Sequence, residues 1–466
     1  MYNYQVLIIG GGPGGYETAV RLNQYGITTA VIEKDRIGGI CLNWGCIPTK
    51  ALVKSAELYG ELKEAELYGL AAYEPNIEYT KVFERKNKIV EQLVGGLEFI
   101  FHKRKIPIIN EMAVSISKAT DGWKVQTVDG NAYSAEYLII ATGSVPKELP
   151  GISIDEKDIL SSTGILQMET LPKSLAVVGG GVIGCEFASI MNTFGAETHI
   201  IEFLPRLVSS EDEEISKRLA MALKKAGIRI MTGSGVQSIT KTEAGLKLSL
   251  NNGTEITVEK VLLSVGRVPQ LNIAFTDQSL ATEHGAVSID SAMRTNLPKV
   301  YAIGDVTGKM QLAHTASKQG MVAAQHIDSL VKNKEFHYPE LEYINIPRCT
   351  FTHPELASVG FTEAEAKDRF GDVLVGKFPF SASGKALAMG NTFGFVKTIA
   401  RADSNQLVGM HILGPNAAEL IAQGAILISQ GATAEAIESI VFAHPTLSEA
   451  LKESIEDIRS LSIHKI

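Results

Sequence analysis

At 466 residues the chain is too long for one hydrophobic core, and roughly two to four domains are expected. Its 44 basic and 52 acidic residues leave a net charge of −8, which argues against a nucleic-acid partner, because neutralising phosphates needs a basic face. No apolar run approaches the roughly 18 residues that cross a bilayer, so no membrane partner is expected either.

The N-terminus, MYNYQVLIIGGG, lacks a basic leader region and enters a strand almost at once. No signal peptide is expected, and the setting is read as cytoplasmic and reducing. YQVLIIG is a continuous apolar run, the pattern of a strand buried on both faces. Gly10, Gly12 and Gly15 follow in G-x-G-x-x-G spacing. YETAVRLNQYG reads as a helix stopped by Gly26, and ITTAVIEK as the next strand, closed by Glu33. Such glycines permit a tight turn, close approach of a pyrophosphate and close helix–strand packing. The helix N-terminus offers unpaired N–H groups to phosphate, and the acid can accept from ribose hydroxyls.

Next comes CLNWGC, residues 41–46, which holds two of the chain's 4 cysteines. Three readings stand at this point: a structural disulfide, two metal ligands, or a redox pair. A structural disulfide is disfavoured in a reducing compartment. A metal site needs further ligands at suitable spacing, and no second cysteine pair exists. Cys185 and Cys349 lie far apart in apolar surroundings and read as small buried hydrophobes.

YLIIATGSVP (137–146) is a strand ending in a tight turn at Thr142 and Gly143. LAVVGGGVIG then repeats the first pattern, with Gly179, Gly181 and Gly184 in the same spacing. The helix CEFASIMNTFG and the strand ETHIIE follow, and Glu202 stands at the same offset as Glu33. One G-x-G-x-x-G is weak evidence, but two copies with strand, helix and acid in place point to two bound dinucleotides. Glu202 favours NAD over NADP, because a 2′-phosphate would meet a carboxylate; Arg206 nearby works against that preference. VLLSVGRVPQ (261–270), with Gly266, repeats the strand–Gly–Pro form. VYAIGDVTG ends an apolar strand in Gly304 and Asp305. Asp305 either faces a ligand crevice or caps a turn. The remaining segment mixes strand-like stretches (GKFPF, FGFVKTIA, LVGMHILG) with helices (AAELIAQGAILISQG, LSEALKESIEDI), as in a separate α+β domain.

GGICLNWGCIPTK resembles the active-site segment of the FAD-dependent pyridine nucleotide–disulfide oxidoreductases. The resemblance extends over essentially the whole chain, through both glycine fingerprints, ATG at 141–143, VGRVP at 265–269, THPELASVG at 352–360 and HPTLSE at 444–449. Within the family, CLN-x-GCIP and HPTLSE resemble the branch that oxidises protein-bound dihydrolipoyl groups. The implied fold is α/β, with two Rossmann-like dinucleotide-binding domains and a C-terminal α+β dimerisation domain. The implied order is an FAD-binding segment at 1–145, an NAD-binding domain at 146–270, the rest of the FAD domain at 271–340 and the dimerisation domain at 341–466. The partners implied are a second copy of the chain and a lipoyl-bearing carrier of a 2-oxoacid dehydrogenase or glycine cleavage complex.

The resemblance also assigns roles. Cys41 is the exchange thiol that meets substrate, and Cys46 faces the flavin. His444 is the base, contributed by the partner subunit, with Glu449 orienting it. Lys50 and Glu186 form a pair near the flavin and nicotinamide; their bland alternatives are a solvated lysine and a first-turn acid complementing the helix dipole. Ala313, in LAHTASKQG, joins Thr142, Gly143, Gly266, Gly304 and Asp305 among the cofactor contacts, and no metal is expected. Trp44, Ile40 and Gln319 depart from the usual pattern of the branch and bear on substrate choice. Two rival readings remain. One is a glutathione- or mercuric-type reductase, opposed by Glu202 and by the absence of a C-terminal cysteine pair. The other is a mainly structural subunit of a multienzyme complex.

Overall fold

The computed structural model describes residues 2–71 and 75–465. Contacts divide the chain into two compact units, each assembled from three separated segments. The first unit comprises Met1–Ala51, Thr80–Lys147 and Gly266–Leu341; the second comprises Leu52–Tyr79, Glu148–Val265 and Glu342–Ile466.

In the first unit, the strand Tyr4–Ile9 lies between Thr29–Ile32 and Ala132–Ile140, parallel to both. Val300–Ala302 pairs in parallel with Ala132–Ile140, so a strand from late in the chain completes the sheet built by its first residues. Val6, Leu7 and Ile8 are fully buried, which explains the unbroken apolar run: helices or crossing strands cover both faces. The helix Pro13–Gln24 starts on Pro13, whose missing N–H is no loss in a first turn. It packs along the late helix Ala313–Val331.

The chain leaves this unit after Lys147 and returns at Gly266. The two strand–Gly–Pro signatures meet there: Ser144–Pro146 pairs antiparallel with Arg267–Pro269. Sequence reading treated these as separate turns. Their pairing is a long-range contact with no local signature, which is why it was not anticipated.

In the second unit, the segment between those crossings forms a parallel sheet. Its strands run in the order Arg229–Met231, Glu197–Ile201, Ser174–Val178, Lys260–Leu263 and Ile159–Leu160. A three-stranded antiparallel ribbon, Val236–Thr242, Gly245–Leu250 and Glu255–Val258, packs beside it. Beyond residue 342 the same unit holds a five-stranded antiparallel sheet, with Leu407–Gly414 flanked by Glu355–Gly360 and Phe395–Arg401. The helices Ala417–Ser429 and Ser448–Asp457 cover it with Leu420, Ile421, Leu451 and Ile455.

Gly376, on the strand Val373–Pro379, sets how closely the last of these helices approaches. A Cβ there would lie 2.0 Å from the Ser454 carbonyl oxygen and 2.7 Å from the Ile458 nitrogen. Gly376→Ala is therefore expected to cost about 1–3 kcal/mol through overpacking. Differential scanning calorimetry would show a lower denaturation temperature; an unchanged one would mean that the helix adjusts freely.

Candidate active site

The first glycine turn is shaped by backbone meeting backbone. Gly10 has φ +109, and a Cβ on it would lie 2.1 Å from the Ala141 carbonyl oxygen; one on Gly15 would lie 1.9 Å from the Gly10 carbonyl oxygen. Neither position can carry a side chain. Gly12 differs: its φ is −68, open to any residue, and a Cβ there would meet nothing within 4 Å. Protein packing does not require glycine at Gly12, whereas close approach of a ligand would.

The second turn repeats this arrangement. A Cβ on Gly179 or Gly184 would strike the carbonyl oxygen of Ser264 or Gly179, while Gly181 faces open space. The two acids also match. Glu33 accepts from the Gly11 amide (2.7 Å) and the Asp35 amide (2.9 Å). Glu202 accepts from the Gly180 amide and from the Leu204 amide (2.7 Å). Each carboxylate thus pins its glycine turn with some of its lone pairs and retains acceptor capacity for a sugar.

The cysteine segment rests directly on the first turn. The Gly38 amide donates to the Gly11 carbonyl (2.8 Å), and a Cβ on Gly39 would lie 2.6 Å from Gly12 Cα. Gly38 and Gly39 both have positive φ, which lets the chain descend this close. Cys41 lies on the short helix Gly39–Trp44, and Cys46 opens the helix Cys46–Lys63. They are joined as a disulfide with Cα atoms 4.7 Å apart. Lys50 lies on the second of these helices. Asn43, buried between the cysteines, donates its amide to the Gly39 and Ile37 carbonyls and so braces the loop.

Among the described residues of this unit, the buried polar atoms without a hydrogen-bond partner include Asn43 Oδ1, in the cysteine segment, and Thr315 Oγ1, in the first turn of the helix Ala313–Val331. Buried acceptors and hydroxyls are rarely left unpaired, so polar groups of a bound molecule are their natural partners. Together with the open space over Gly12, they show that the residues present suit a dinucleotide cofactor.

Asp305, expected at the end of a strand, sits instead on a 3₁₀ turn, Gly304–Thr307, three residues past the strand Val300–Ala302. Its carboxylate accepts from Ser144 Oγ (2.5 Å), which in turn accepts from Arg267 Nε (2.8 Å). Arg267 also donates to the Ser144 carbonyl (2.7 Å). Burial pushes the Arg267 guanidinium below its ordinary pKa, and the Asp305 charge opposes that. The turn is braced by Gln319, whose fully buried carbonyl oxygen accepts from the Gly304 amide (2.6 Å). Thr142 Oγ1 donates to the Gln270 carbonyl, and the Gly143 carbonyl accepts from the Gln270 amide. Gly266 has φ +108, and its carbonyl accepts from the Lys147 amide. Ala313 opens the helix Ala313–Val331. Sequence reasoning missed Ser144, Arg267 and Asn43. VGRVP and CLNWGC contained the signal for two of them, but only folding shows which atoms meet.

In the second unit, His444 Nδ1 and Glu449 Oε1 are 2.9 Å apart, and the Thr446 amide donates to the other carboxylate oxygen (2.9 Å). Burial favours the neutral acid, but the Thr446 amide and His444 outweigh it and hold Glu449 below the usual carboxylate range. An ionised Glu449 accepts a hydrogen bond from Nδ1–H and leaves Nε2 as the nitrogen with a free lone pair. The imidazole is largely exposed. Glu186 is buried on the helix Val182–Phe194 and accepts from the Phe351 amide (2.9 Å). Cys185 donates to the Gly180 carbonyl, and burial raises its thiol pKa strongly, so it is a packing residue.

Two dinucleotide turns and a disulfide docked on one of them define a nucleotide-dependent disulfide oxidoreductase. Residues 4–320 match the family model described as pyridine nucleotide-disulphide oxidoreductase, and residues 346–455 match the dimerisation domain of the same family. The chain belongs to this family, whose dihydrolipoyl dehydrogenases use FAD and NAD(H). It is 39% identical to the dihydrolipoyl dehydrogenase of Bacillus subtilis, over 99% of each chain. It is also 39% identical to that of Zymomonas mobilis, over 99% of each. Among solved structures, LpdA from Mycobacterium tuberculosis superposes with a TM-score of 0.87 at 25% identity, over 97% of this chain and 98% of that one. The HOCl-induced flavoprotein disulfide reductase RclA from Escherichia coli, as its Cu(II) complex, gives 0.86 at 27% identity, over 98% and 99%.

The contrast between the glycines is testable. Gly12→Ala is expected to leave the apoprotein's melting curve in place while lowering flavin occupancy of the purified protein. Gly15→Ala is expected to destabilise the apoprotein itself, because its Cβ meets backbone. Equal effects on apoprotein stability would contradict a ligand-imposed glycine at position 12.

Proposed function

We propose that this chain catalyses the dihydrolipoyl dehydrogenase reaction, oxidising protein-bound dihydrolipoyl groups and passing the electrons to NAD+. The observation that carries the reading is the disulfide segment packed on the first glycine turn, through Gly38 and Gly39. It puts a two-electron protein couple against the turn assigned to FAD. Full-length relatives bearing the dihydrolipoyl dehydrogenase name support the substrate. The FAD domain is read as 1–145 with 271–340, the NAD domain as 146–270, and the dimerisation domain as 341–466.

Gly10, Gly12, Gly15, Glu33, Thr142, Gly143, Gly266, Gly304, Asp305, Ala313 and Lys50 are assigned to FAD. Gly179, Gly181, Gly184 and Glu202 are assigned to NAD, with Glu186 near the nicotinamide. Bound FAD supplies the two-electron link between the thiols and the nicotinamide.

The protein's own residues do the exchange. His444 Nε2, with Nδ1–H held by Glu449, takes a proton from one substrate thiol, and the thiolate attacks Cys41. The Cys41–Cys46 bond breaks, a mixed disulfide forms, and Cys46 leaves as a thiolate. The second substrate thiol displaces Cys41, and its proton passes to the departing Cys41 sulfur. The substrate leaves as a lipoyl disulfide, oxidised by two electrons, and the cysteine pair is reduced by two. A cytoplasmic homodimer suits this scheme: His444 of one subunit would serve the disulfide of the other, and a reducing compartment suits a disulfide opened at every turnover. A lipoyl-bearing carrier is the matching partner.

Two substitutions separate the steps. Cys41→Ser is expected to abolish dithiol oxidation with FAD still bound, seen as a retained flavin spectrum. His444→Gln is expected to slow flavin reduction by dihydrolipoamide about 100-fold or more, with reduction by NADH little changed in stopped flow. Full turnover in the Cys41 variant would remove the redox-pair assignment. The substrate is tested on the purified holoenzyme, with dihydrolipoamide and NAD+ or NADP+ in one series and glutathione disulfide and NADH or NADPH in the other. Rapid turnover confined to dihydrolipoamide with NAD+ is the expected result; turnover of glutathione disulfide would point to the rival reductase.

A further inference from the structure

The second glycine turn is gripped by the loop that follows Glu202. The Val208 amide donates to the Gly180 carbonyl (2.8 Å), and Glu202 accepts from the Gly180 amide. Leu207, fully buried, sits so near that a Cβ on Gly180 would lie 2.4 Å from its methyl carbon. Val208 itself has φ +38. A β-branched residue takes up that left-handed backbone only where its surroundings over-determine it.

The far end of the loop supplies that determination. Glu211 and Asp212 are almost wholly buried. The Glu211 amide donates to the Val208 carbonyl, and its carboxylate accepts from Arg348 Nε (3.1 Å) and Ser358 Oγ (2.5 Å). Asp212 caps the helix Glu213–Lys225 through the Glu214 amide (3.1 Å), and its two oxygens lie 2.9 and 3.0 Å from Lys397 Nζ. Lys397 is buried in turn and reaches Glu363 at 2.8 Å. Ser216 Oγ closes the loop onto the Leu207 carbonyl (2.6 Å). Glu211 and Asp212 lie in the stretch matched by the oxidoreductase model, whereas Arg348, Ser358 and Lys397 lie in the stretch matched by the dimerisation domain.

We propose that Arg348, Ser358 and Lys397 are positioning residues for the nicotinamide dinucleotide: through Glu211 and Asp212 they hold the strained loop, and with it both peptide groups of Gly180, in the nucleotide-binding arrangement. The inference rests on the assignment of the Gly179–Gly184 turn to NAD(H). Without these anchors, Val208 relaxes toward negative φ, its amide leaves the Gly180 carbonyl, and the turn loses its fixed position. The C-terminal sheet thereby sets dinucleotide affinity without touching the ligand.

The test uses the FAD-loaded dimer. Ser358→Ala removes one anchor of Glu211. The double variant Lys397→Met, Asp212→Asn removes the ion pair without stranding a buried charge, and asparagine preserves the helix cap. In both, the Kd for NADH and the KM for NAD+ are expected to rise about 5-fold or more, while the rate of flavin reduction by dihydrolipoamide without nucleotide is unchanged. Glu202→Ala serves as the control for the turn. Unchanged Kd in both anchor variants, with weaker binding in the control, overturns the proposal and leaves the NAD assignment standing. Unchanged Kd in all three overturns both. A dithiol half-reaction slowed as much as NADH binding is weakened would make the cluster a general stabiliser and overturn the positioning role.

Discussion

The active region depends on backbone packed against backbone with no room for a Cβ. Gly10 lies against Ala141, Gly15 against Gly10, and Gly39 against Gly12. The first two contacts close the turn between strand and helix; the third lowers the cysteine segment onto it. Nothing directional holds these contacts beyond a few hydrogen bonds such as Gly38 to Gly11. Their precision comes from close packing, in which a single methyl group has nowhere to go. A redox disulfide acts through what lies beside it, so this packing is the step that turns a cysteine pair into chemistry.

The same device occurs twice, and the second copy shows which of its parts belong to the fold. Both turns have two glycines fixed by neighbouring carbonyls, one glycine facing open space, and an acid that accepts from the turn's own amide. The acid therefore has a structural partner before any ligand arrives. In both copies that position lets it hold the turn. The copies differ in what rests on them. The first carries the cysteine loop; the second carries the strained loop at Val208, tied through buried charges to the C-terminal sheet.

Charged groups are tied to named neighbours in both units. Asp305 meets Ser144, which is held by Arg267; Asp212 meets Lys397, which also meets Glu363. Such clusters contribute little net stability compared with apolar packing, but breaking one member is costly. That asymmetry makes them good at fixing geometry. It explains why they flank the turns and the Asp305 segment while the sheet interiors are filled by Val, Ile and Leu.

Much was legible in the sequence because it is written locally. The apolar runs, the glycine spacing and the acids at strand ends follow from contacts within a few dozen residues, so the two βαβ units and their dinucleotide chemistry could be read directly. The cysteine pair was visible too, although its redox reading came from resemblance and not from spacing. What only tertiary structure decided involves partners more than a hundred residues apart: the pairing of Ser144–Pro146 with Arg267–Pro269, the Ser144–Asp305 bond, and the salt bridges from 211–212 to 348 and 397. A serine or arginine that meets its partner across such a distance leaves no periodicity or spacing in the chain. Its role exists only once the strands on either side have been brought together.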